Sequence, residues 1–319
     1  MDFQNLWAMR WRPETLKDIL LSKEVREFFE VIEKSENPSI PHLMFYGPPG
    51  CGKTSLAFIV VKSILKADYL YINASDENGI ETIRGKIKNY IETKSFDGKM
   101  KVVVLDEFDG MSSSGGAGSS AQQALRNILE EYADHVRFIF TCNYAQKVIE
   151  PIWSRVQAFY IQPDLKDFQR KCLEILKSEK IQVTPESRTS FFELVQDTYP
   201  DLRLCLNELQ KSCVSGTFKM VETSDKNIKQ IVIQYWQMVQ SKRPYNEIRK
   251  YIIDNEKMFR GDYQILLKSL FEYVYDSGIA SDLKGKIMLK ISETMYYHVH
   301  VLDKEINYFA MTLKLLQII

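Results

Sequence analysis

The sequence holds no stretch of about 20 consecutive apolar residues, so no membrane-spanning helix is expected. Its first residues, MDFQNLWAMRWRP, contain no apolar run of useful length, and no secretory leader is expected. There is no CxxC pair, and the four histidines complete no metal spacing. A structural zinc site is therefore not expected. The five cysteines (Cys51, Cys142, Cys172, Cys205 and Cys213) are odd in number, which points to reduced thiols in an intracellular compartment. There is also no net charge, with 42 basic residues against 42 acidic ones. A nucleic-acid partner would then have to meet a local basic surface. Balanced charge leaves little self-repulsion to oppose association. No internal repeat is evident.

What is present is an ordinary soluble composition, 45% hydrophobic and 26% charged, in 319 residues. That length exceeds one compact core and implies two or three domains. Apolar runs at 42–47, 68–73, 101–106, 136–143 and 156–162 alternate with helical patterns. Strands apolar on both faces, separated by helices, predict a parallel sheet covered on both sides. After Pro163 the strand signals fade. Segments 164–180, 186–199 and 201–214 read as three short helices, and from about Ile231 the pattern is helical and rich in aromatics to the end.

GPPGCGKTS, Gly47 to Ser55, lies between the run HLMFY and the helical LAFIVVKSIL. In that context it reads as a phosphate-binding loop. Gly47, Gly50 and Gly52 let the backbone curl so that N–H groups converge on phosphate oxygens, and the helix N-terminus adds its positive end. Pro48, Pro49, Cys51 and Ser55 complete the cradle. Lys53 is expected to reach the β- and γ-phosphates of ATP, and Thr54 to ligate Mg²⁺. The strand KVVVLDEFD carries Asp106 to its C-terminal end, where an open α/β sheet places its ligands. Asp106 is expected to hold Mg²⁺, directly or through water, and Glu107 to orient and polarise the attacking water. Hydrolysis also needs positive partners and a polar positioner for the γ-phosphoryl group. Asn143, Arg155 and Arg203 are candidates, each weak in isolation.

The chain resembles the small subunits of replication factor C and the large ATPase subunit of phage clamp loaders, AAA+ proteins that load ring-shaped sliding clamps on DNA. LWAMRWRPETLKDIL, HLMFYGPPGCGKTS, YINASDENGIETIRGKIK, DEFD, SSAQQALRNILEEY, RFIFTCNYAQKVIEPIWSRV and DLRLCLNELQ carry the resemblance, in the family's order, over roughly residues 5–210. It implies an α/β AAA+ P-loop domain with a five-stranded parallel sheet (1–163), a small α-helical lid (164–230) and an α-helical collar (231–319). Arg12 would border the adenine pocket. Asn143 would be the first sensor, and Arg203 the second, reaching the γ-phosphate from the lid. Arg155 matches the arginine of the family's Ser-Arg-Cys motif, which acts on the neighbouring subunit's ATP; Val156 here replaces the cysteine. The implied partners are a sliding clamp, further subunits in a pentameric ring and primer-template DNA, inside the cell at sites of replication.

The helix GIETIRGKIKNYIETK carries an apolar stripe at Ile80, Ile83, Ile87 and Ile91 and basic residues Arg84 and Lys88 on one flank. The resemblance makes these two phosphate contacts. Gly85, mid-helix, costs up to about 1 kcal/mol relative to Ala, which suggests a close approach there. In the next predicted helix, Arg126 is either a DNA-side coupling residue or half of an i,i+4 pair with Glu130. Ser120 and Gln123 read as its capping box. The intervening GMSSSGGAGSS is longer than the family's usual link. Lengthening a surface loop is cheap, about 0.6 kcal/mol per doubling, so the run is neutral filler or a DNA-facing segment. A helicase or unfoldase would carry an aromatic–hydrophobic–Gly pore loop before the Asp–Glu strand, and none is there. A scaffold subunit would have lost Lys53, Glu107 or Arg155, and all are present.

Overall fold

The computed structural model describes residues 6–76, 80–92, 100–112, 118–214, 216–219, 224–259 and 261–319. The side chains of 80–84, 112, 118–121, 124, 214 and 224–227 lie outside that description, Arg84 and Ser120 among them. The chain divides into two compact units, Met1–Met220 and Val221–Ile319.

In the first unit, helices α1 (Trp7–Arg10) and α2 (Lys23–Glu33) precede a sheet of five strands. These are β1 (Leu43–Tyr46), β2 (Tyr69–Asn73), β3 (Lys101–Asp106), β4 (Val136–Cys142) and β5 (Gln157–Tyr160). The order is β2-β3-β4-β1-β5, and every pairing is parallel. Between the strands run α3 (Lys53–Ile59, continued by a π-helical turn Val60–Ile64), α4 (Ile80–Glu92), α5 (Gly118–Glu131) and α6 (Glu150–Trp153). All five expected strands are present: β1, β3 and β4 are apolar runs buried on both faces, whereas the edge strands β2 and β5 are only partly covered.

Alternation along the strands divides the core. Leu43, Phe45, Val102, Val104 and Ile139 pack with Phe29 of α2 and Leu56 of α3. Met44, Val103, Leu105, Phe138 and Phe140 pack with Ile87 of α4, Leu125, Ile128 and Leu129 of α5, and Ile152 of α6. Each fully buried side chain of this size contributes about 1.5–3 kcal/mol. The helix α5 starts at Gly118, so Ser120 falls inside its first turn and is not the N-cap position the sequence suggested.

The helices α7 (Leu165–Ser178), α8 (Arg188–Thr198) and α9 (Leu202–Ser212) have a core of their own that includes Phe168, Cys172, Ile175, Phe191, Leu194, Leu206 and Leu209. The end of the third expected helix is instead a short antiparallel pair, β6 (Cys213–Val214) and β7 (Thr217–Phe218), with Gly216 at φ +80° between them. Trp7 belongs to this core as well, and its N–H donates to Gln210 Oε1 at 2.9 Å. Arg10 and Trp11 donate to Glu179 at 2.8 and 2.7 Å. The N-terminal segment is thereby strapped to the helical module.

The second unit consists of α10 (Ser224–Gln240), α11 (Tyr245–Asp254), α12 (Tyr263–Asp276), α13 (Ser281–His298) and α14 (Lys304–Ile318). Its aromatics divide. Tyr235, Trp236, Phe259, Tyr263 and Tyr308 fill its core, whereas Tyr245, Tyr275, Tyr296 and Tyr297 are exposed. The Tyr235 and Thr312 hydroxyls hydrogen-bond at 2.8 Å inside that core.

Candidate nucleotide site

Sheet register assembles the site. Asn73 pairs with Asp106, Leu105 with Phe140, and Tyr46 with Cys142. The C-terminal ends of β1, β3 and β4 therefore lie side by side, and Gly47, Asp106 and Asn143 follow from neighbouring strands. The phosphate loop leaves β1 and enters α3 with Gly47, Gly50 and Gly52 at φ +144°, +72° and +91°. A Cβ at Gly47 would lie 2.5 Å from the Ile161 carbonyl oxygen, so glycine is required by contact as well as by dihedral. Lys53 Nζ donates to the carbonyls of Gly47 (2.9 Å) and Pro48 (2.6 Å), which holds the ammonium within the loop. Burial pushes its pKa below the usual lysine value. Burial likewise pushes the Cys51 thiol up to about 11, which leaves it unreactive.

Asp106 is buried and collects three hydroxyls. Thr54 Oγ1 donates to Oδ1 at 2.8 Å, Thr141 Oγ1 donates to the same oxygen, and Tyr71 OH donates to Oδ2 at 2.9 Å. Burial first, and then the Asp106 hydrogen bond, push the Tyr71 phenol above its usual range. The Thr54 and Asp106 oxygens stand 2.8 Å apart. A hydroxyl and a carboxylate side by side at the end of the phosphate loop are the hard oxygen donors that Mg²⁺ takes, directly or through its waters, so the donor set fits that ion.

Glu107 has φ +51°, a left-handed conformation that costs a non-glycine residue about 1–2 kcal/mol. Its N–H donates to Thr141 Oγ1 at 3.1 Å. Its carboxylate lies 2.8 Å from Ser75 Oγ, which also lies 2.9 Å from Asn73 Oδ1. One hydroxyl proton serves only one of these acceptors at a time. Asp109 is buried and accepts the backbone N–H groups of Asn143 (3.1 Å) and Tyr144 (3.2 Å). The acidic turn after β3 thus fixes the end of β4.

A cleft of about 380 Å³ opens beside the loop. Arg12, Gly50, Cys51, Gly52, Ser55 and Arg203 line it, with Lys171 as a further cation, Asp18 as the one acid among the described residues, and an apolar part that includes Met9, Ile19, Leu20 and Leu206. Arg12 Nε donates to Ser55 Oγ at 3.3 Å. The cationic and apolar walls match a polyphosphate joined to a planar base. Arg203 is brought here because it lies in the first turn of α9, which Asp201 caps by accepting Leu204 N–H at 2.8 Å.

Arg155 is not brought to this cleft. Its Nε donates to Glu130 Oε1 at 2.7 Å, its second terminal nitrogen bonds the same oxygen, and its first bonds Pro151 O (2.7 Å) and Ser154 Oγ (2.9 Å). The Arg155 hydrogen bond, reinforced by the charges of Arg155 and Arg126, holds the Glu130 carboxyl below its usual range. Arg126 Nε also reaches Glu130 Oε1, at 3.7 Å, so the i,i+4 pair exists and is shared. Lys88 pairs with Glu92 at 3.8 Å on an exposed face. Apart from its own helix, no described part of the chain lies within 4 Å of the position a Cβ would take at Gly85.

Thr141, Tyr71, Ser75 and Asp109 were not expected at the site. The sequence carried faint signals for two of them: Thr141 is a polar residue inside an apolar strand, and Asp109 closes DEFD. Tyr71 and Ser75 act through register and turn geometry, which no local pattern reports.

Residues 43–163 match the family described as ATPase family associated with various cellular activities (AAA). The replication factor C small subunit of Methanosarcina barkeri is 32% identical over 298 residues, which is 91% of this chain and 82% of that protein. The chain belongs to the replication factor C small-subunit family. The small subunit of Sulfolobus acidocaldarius is 38% identical over 222 residues, 68% of this chain and 65% of that protein. That of Sulfurisphaera tokodaii is 39% identical over 217 residues, 66% and 63%. The chain thus spans just under two thirds of the length of these two relatives. The structure of a RuvB mutant from Thermogota maritima is superposable with a TM-score of 0.53 at 12% identity, covering 78% of this chain and 88% of that one. That likeness is one of fold. In this replication factor C-type chain the AAA ATPase domain carries the loop, the Thr54–Asp106 pair and Asn143, while Arg203 enters the cleft from the helices beyond residue 163.

Proposed function

We propose that this chain is an ATP-driven clamp-loader subunit that binds and hydrolyses ATP to open a sliding clamp and load it onto primer-template DNA. The observation that carries the reading is the division of the arginines. Arg203 lines the cleft beside the phosphate loop, whereas Arg155 is held on α5 by Glu130, outside the cleft. The chain then supplies one cation to its own ATP and presents another to a neighbour's. An arginine supplied in trans is worth about 10³–10⁵ in rate where such fingers are measured. The chain acts as one member of a pentameric ring, with residues 1–163 as ATPase core, the helices from residue 164 as lid and the helical unit from Val221, earlier than the expected 231, as collar.

In this reading Thr54 and Asp106 hold Mg²⁺, which neutralises charge on the phosphates. Lys53 and Arg203 steady the β- and γ-phosphates, and Arg12 borders the base. Glu107 takes up the proton of the attacking water, which Asn143 helps to position. The Ser75 hydroxyl holds the Glu107 carboxylate towards β2. Arg84 and Lys88 on α4 and Arg126 on α5 contact the DNA backbone. Basic contacts to the phosphate backbone give salt-sensitive affinity without sequence preference. The Gly85 backbone is open to such an approach, since nothing described in the chain packs against that position.

The test is ATP turnover of the chain alone, with partner subunits, and with clamp and primed DNA, read beside clamp retention on circular primed DNA. Turnover should rise at each addition, and clamp should be retained only with ATP. Turnover indifferent to clamp and DNA would favour another AAA+ motor, and retention without hydrolysis by this chain would favour a structural subunit.

A further inference from the structure

We infer that Tyr71 is a positioning residue for the metal-holding carboxylate, setting the plane of Asp106 so that its oxygens meet Mg²⁺ in a fixed orientation. The inference rests on the nucleotide and Mg²⁺ reading of the site and adds a residue outside the phosphate loop and the Asp–Glu strand, one to which that reading gave no role.

Asn73 on β2 pairs with Asp106 on β3, and Tyr71 stands two residues earlier on the same face. A tyrosine is long enough to reach the diagonal neighbour on the adjacent strand, and the hydroxyl closes on Asp106 Oδ2 at 2.9 Å. The other carboxylate oxygen is already occupied, since Thr54 and Thr141 both donate to Oδ1. The sp³–sp² torsion of an aspartate is soft, so a carboxylate pinned at one oxygen still turns about that contact. A donor at the second oxygen removes this freedom, and Tyr71 is the one recorded there among the described residues.

The ring is braced for the task. β2 is an edge strand, so Tyr71 has no neighbouring strand on its outer side and is 40% exposed. Phe58, on the helix that begins at Lys53, lies against it with ring centroids 5.3 Å apart and planes inclined by 31°. The Arg12 guanidinium stands 5.5 Å from the Phe58 ring centre while its Nε donates to Ser55. Base pocket, phosphate helix and metal carboxylate are therefore linked through Arg12, Phe58 and Tyr71. Groups that orient a metal ligand typically contribute 10–100-fold to metal affinity.

The experiment uses the full-length chain and a fluorescent ATP analogue, titrated with Mg²⁺ from an EDTA-treated start. Tyr71→Phe keeps the ring and its contact with Phe58 and removes only the hydroxyl. It should raise the Mg²⁺ concentration needed for half-maximal enhancement of nucleotide binding about tenfold and leave metal-free nucleotide affinity unchanged. Phe58→Leu, which loosens the brace while the hydroxyl remains, should give a smaller shift in the same direction. Thr54→Ala is the reference for a lost ligand. A Tyr71→Phe midpoint equal to wild type, while Thr54→Ala shifts, overturns the role of Tyr71 and leaves the site reading intact. Wild-type protein with no Mg²⁺ enhancement overturns the site reading, and the inference with it.

Discussion

Gly50→Ala tests whether the phosphate loop and the arginine-bearing helix α9 form one device. The backbone at Gly50 has φ +72°, which costs an alanine about 1–2 kcal/mol. The added Cβ would lie 1.8 Å from Asp201 Oδ1, the oxygen that caps α9 by accepting Leu204 N–H at 2.8 Å. Displacing that cap costs about 1 kcal/mol more and frees the first turn, where Arg203 sits. The sum is about 2–3 kcal/mol, a weakening of nucleotide binding of about 30- to 150-fold. The assay is equilibrium binding of a fluorescent ATP analogue to wild type, Gly50→Ala, Asp201→Ala and the double variant. Asp201→Ala should lose only the cap, and the double variant only the cap and the backbone strain. The two single losses should therefore exceed the double by about 1 kcal/mol. Strict additivity, or a Gly50→Ala affinity within threefold of wild type, would refute the reasoning.

Glu107→Gln should keep nucleotide and Mg²⁺ binding and lower turnover by at least about 10²-fold, as removal of a general base does; single-turnover hydrolysis checks it. Ser75→Ala should leave ATP affinity unchanged and raise turnover without DNA, because the hydroxyl that holds Glu107 at 2.8 Å is gone; an unchanged basal rate would remove Ser75 from the account. His42 is half-buried and accepts Phe138 N–H at Nδ1 (3.1 Å), and its burial and then Arg137 push its pKa from the ordinary 6.5 to about 4. The unfolded chain takes up that proton below about 6.5 and the folded chain does not until about 4, so stability should fall as pH drops through this window. His42→Asn should flatten that part of the thermal-midpoint profile, and an unchanged slope would contradict the assignment. Arg84→Ala should weaken DNA binding equally across sequences and reduce the salt slope by about one, measured by fluorescence anisotropy.

Much of this protein is legible in its sequence. The buried central strands are continuous apolar runs and the two edge strands are rich in aromatics, so all five are visible at nearly their true bounds. GPPGCGKTS and DEFD announce the site because phosphate and metal chemistry demand those residue types at that spacing. The illegible part depends on what the fold brings together. Tyr71 on an edge strand looks like any half-exposed aromatic until register sets it beside Asp106. Asp201 reads as a helix cap, and only the docking of α9 places it over Gly50. Glu130 reads as the i+4 partner of Arg126, yet its stronger bond is to Arg155, 25 residues along the chain. The β6–β7 pair was hidden because two-residue strands carry no periodicity.

The most direct test of the clamp-loader account is steady-state ATP turnover of the assembled complex with clamp and primed DNA, comparing wild type with Arg155→Ala. The account predicts that stimulated turnover collapses by about 10³-fold or more while ATP binding by the variant chain is unchanged. Full stimulated turnover by the Arg155→Ala complex would contradict it.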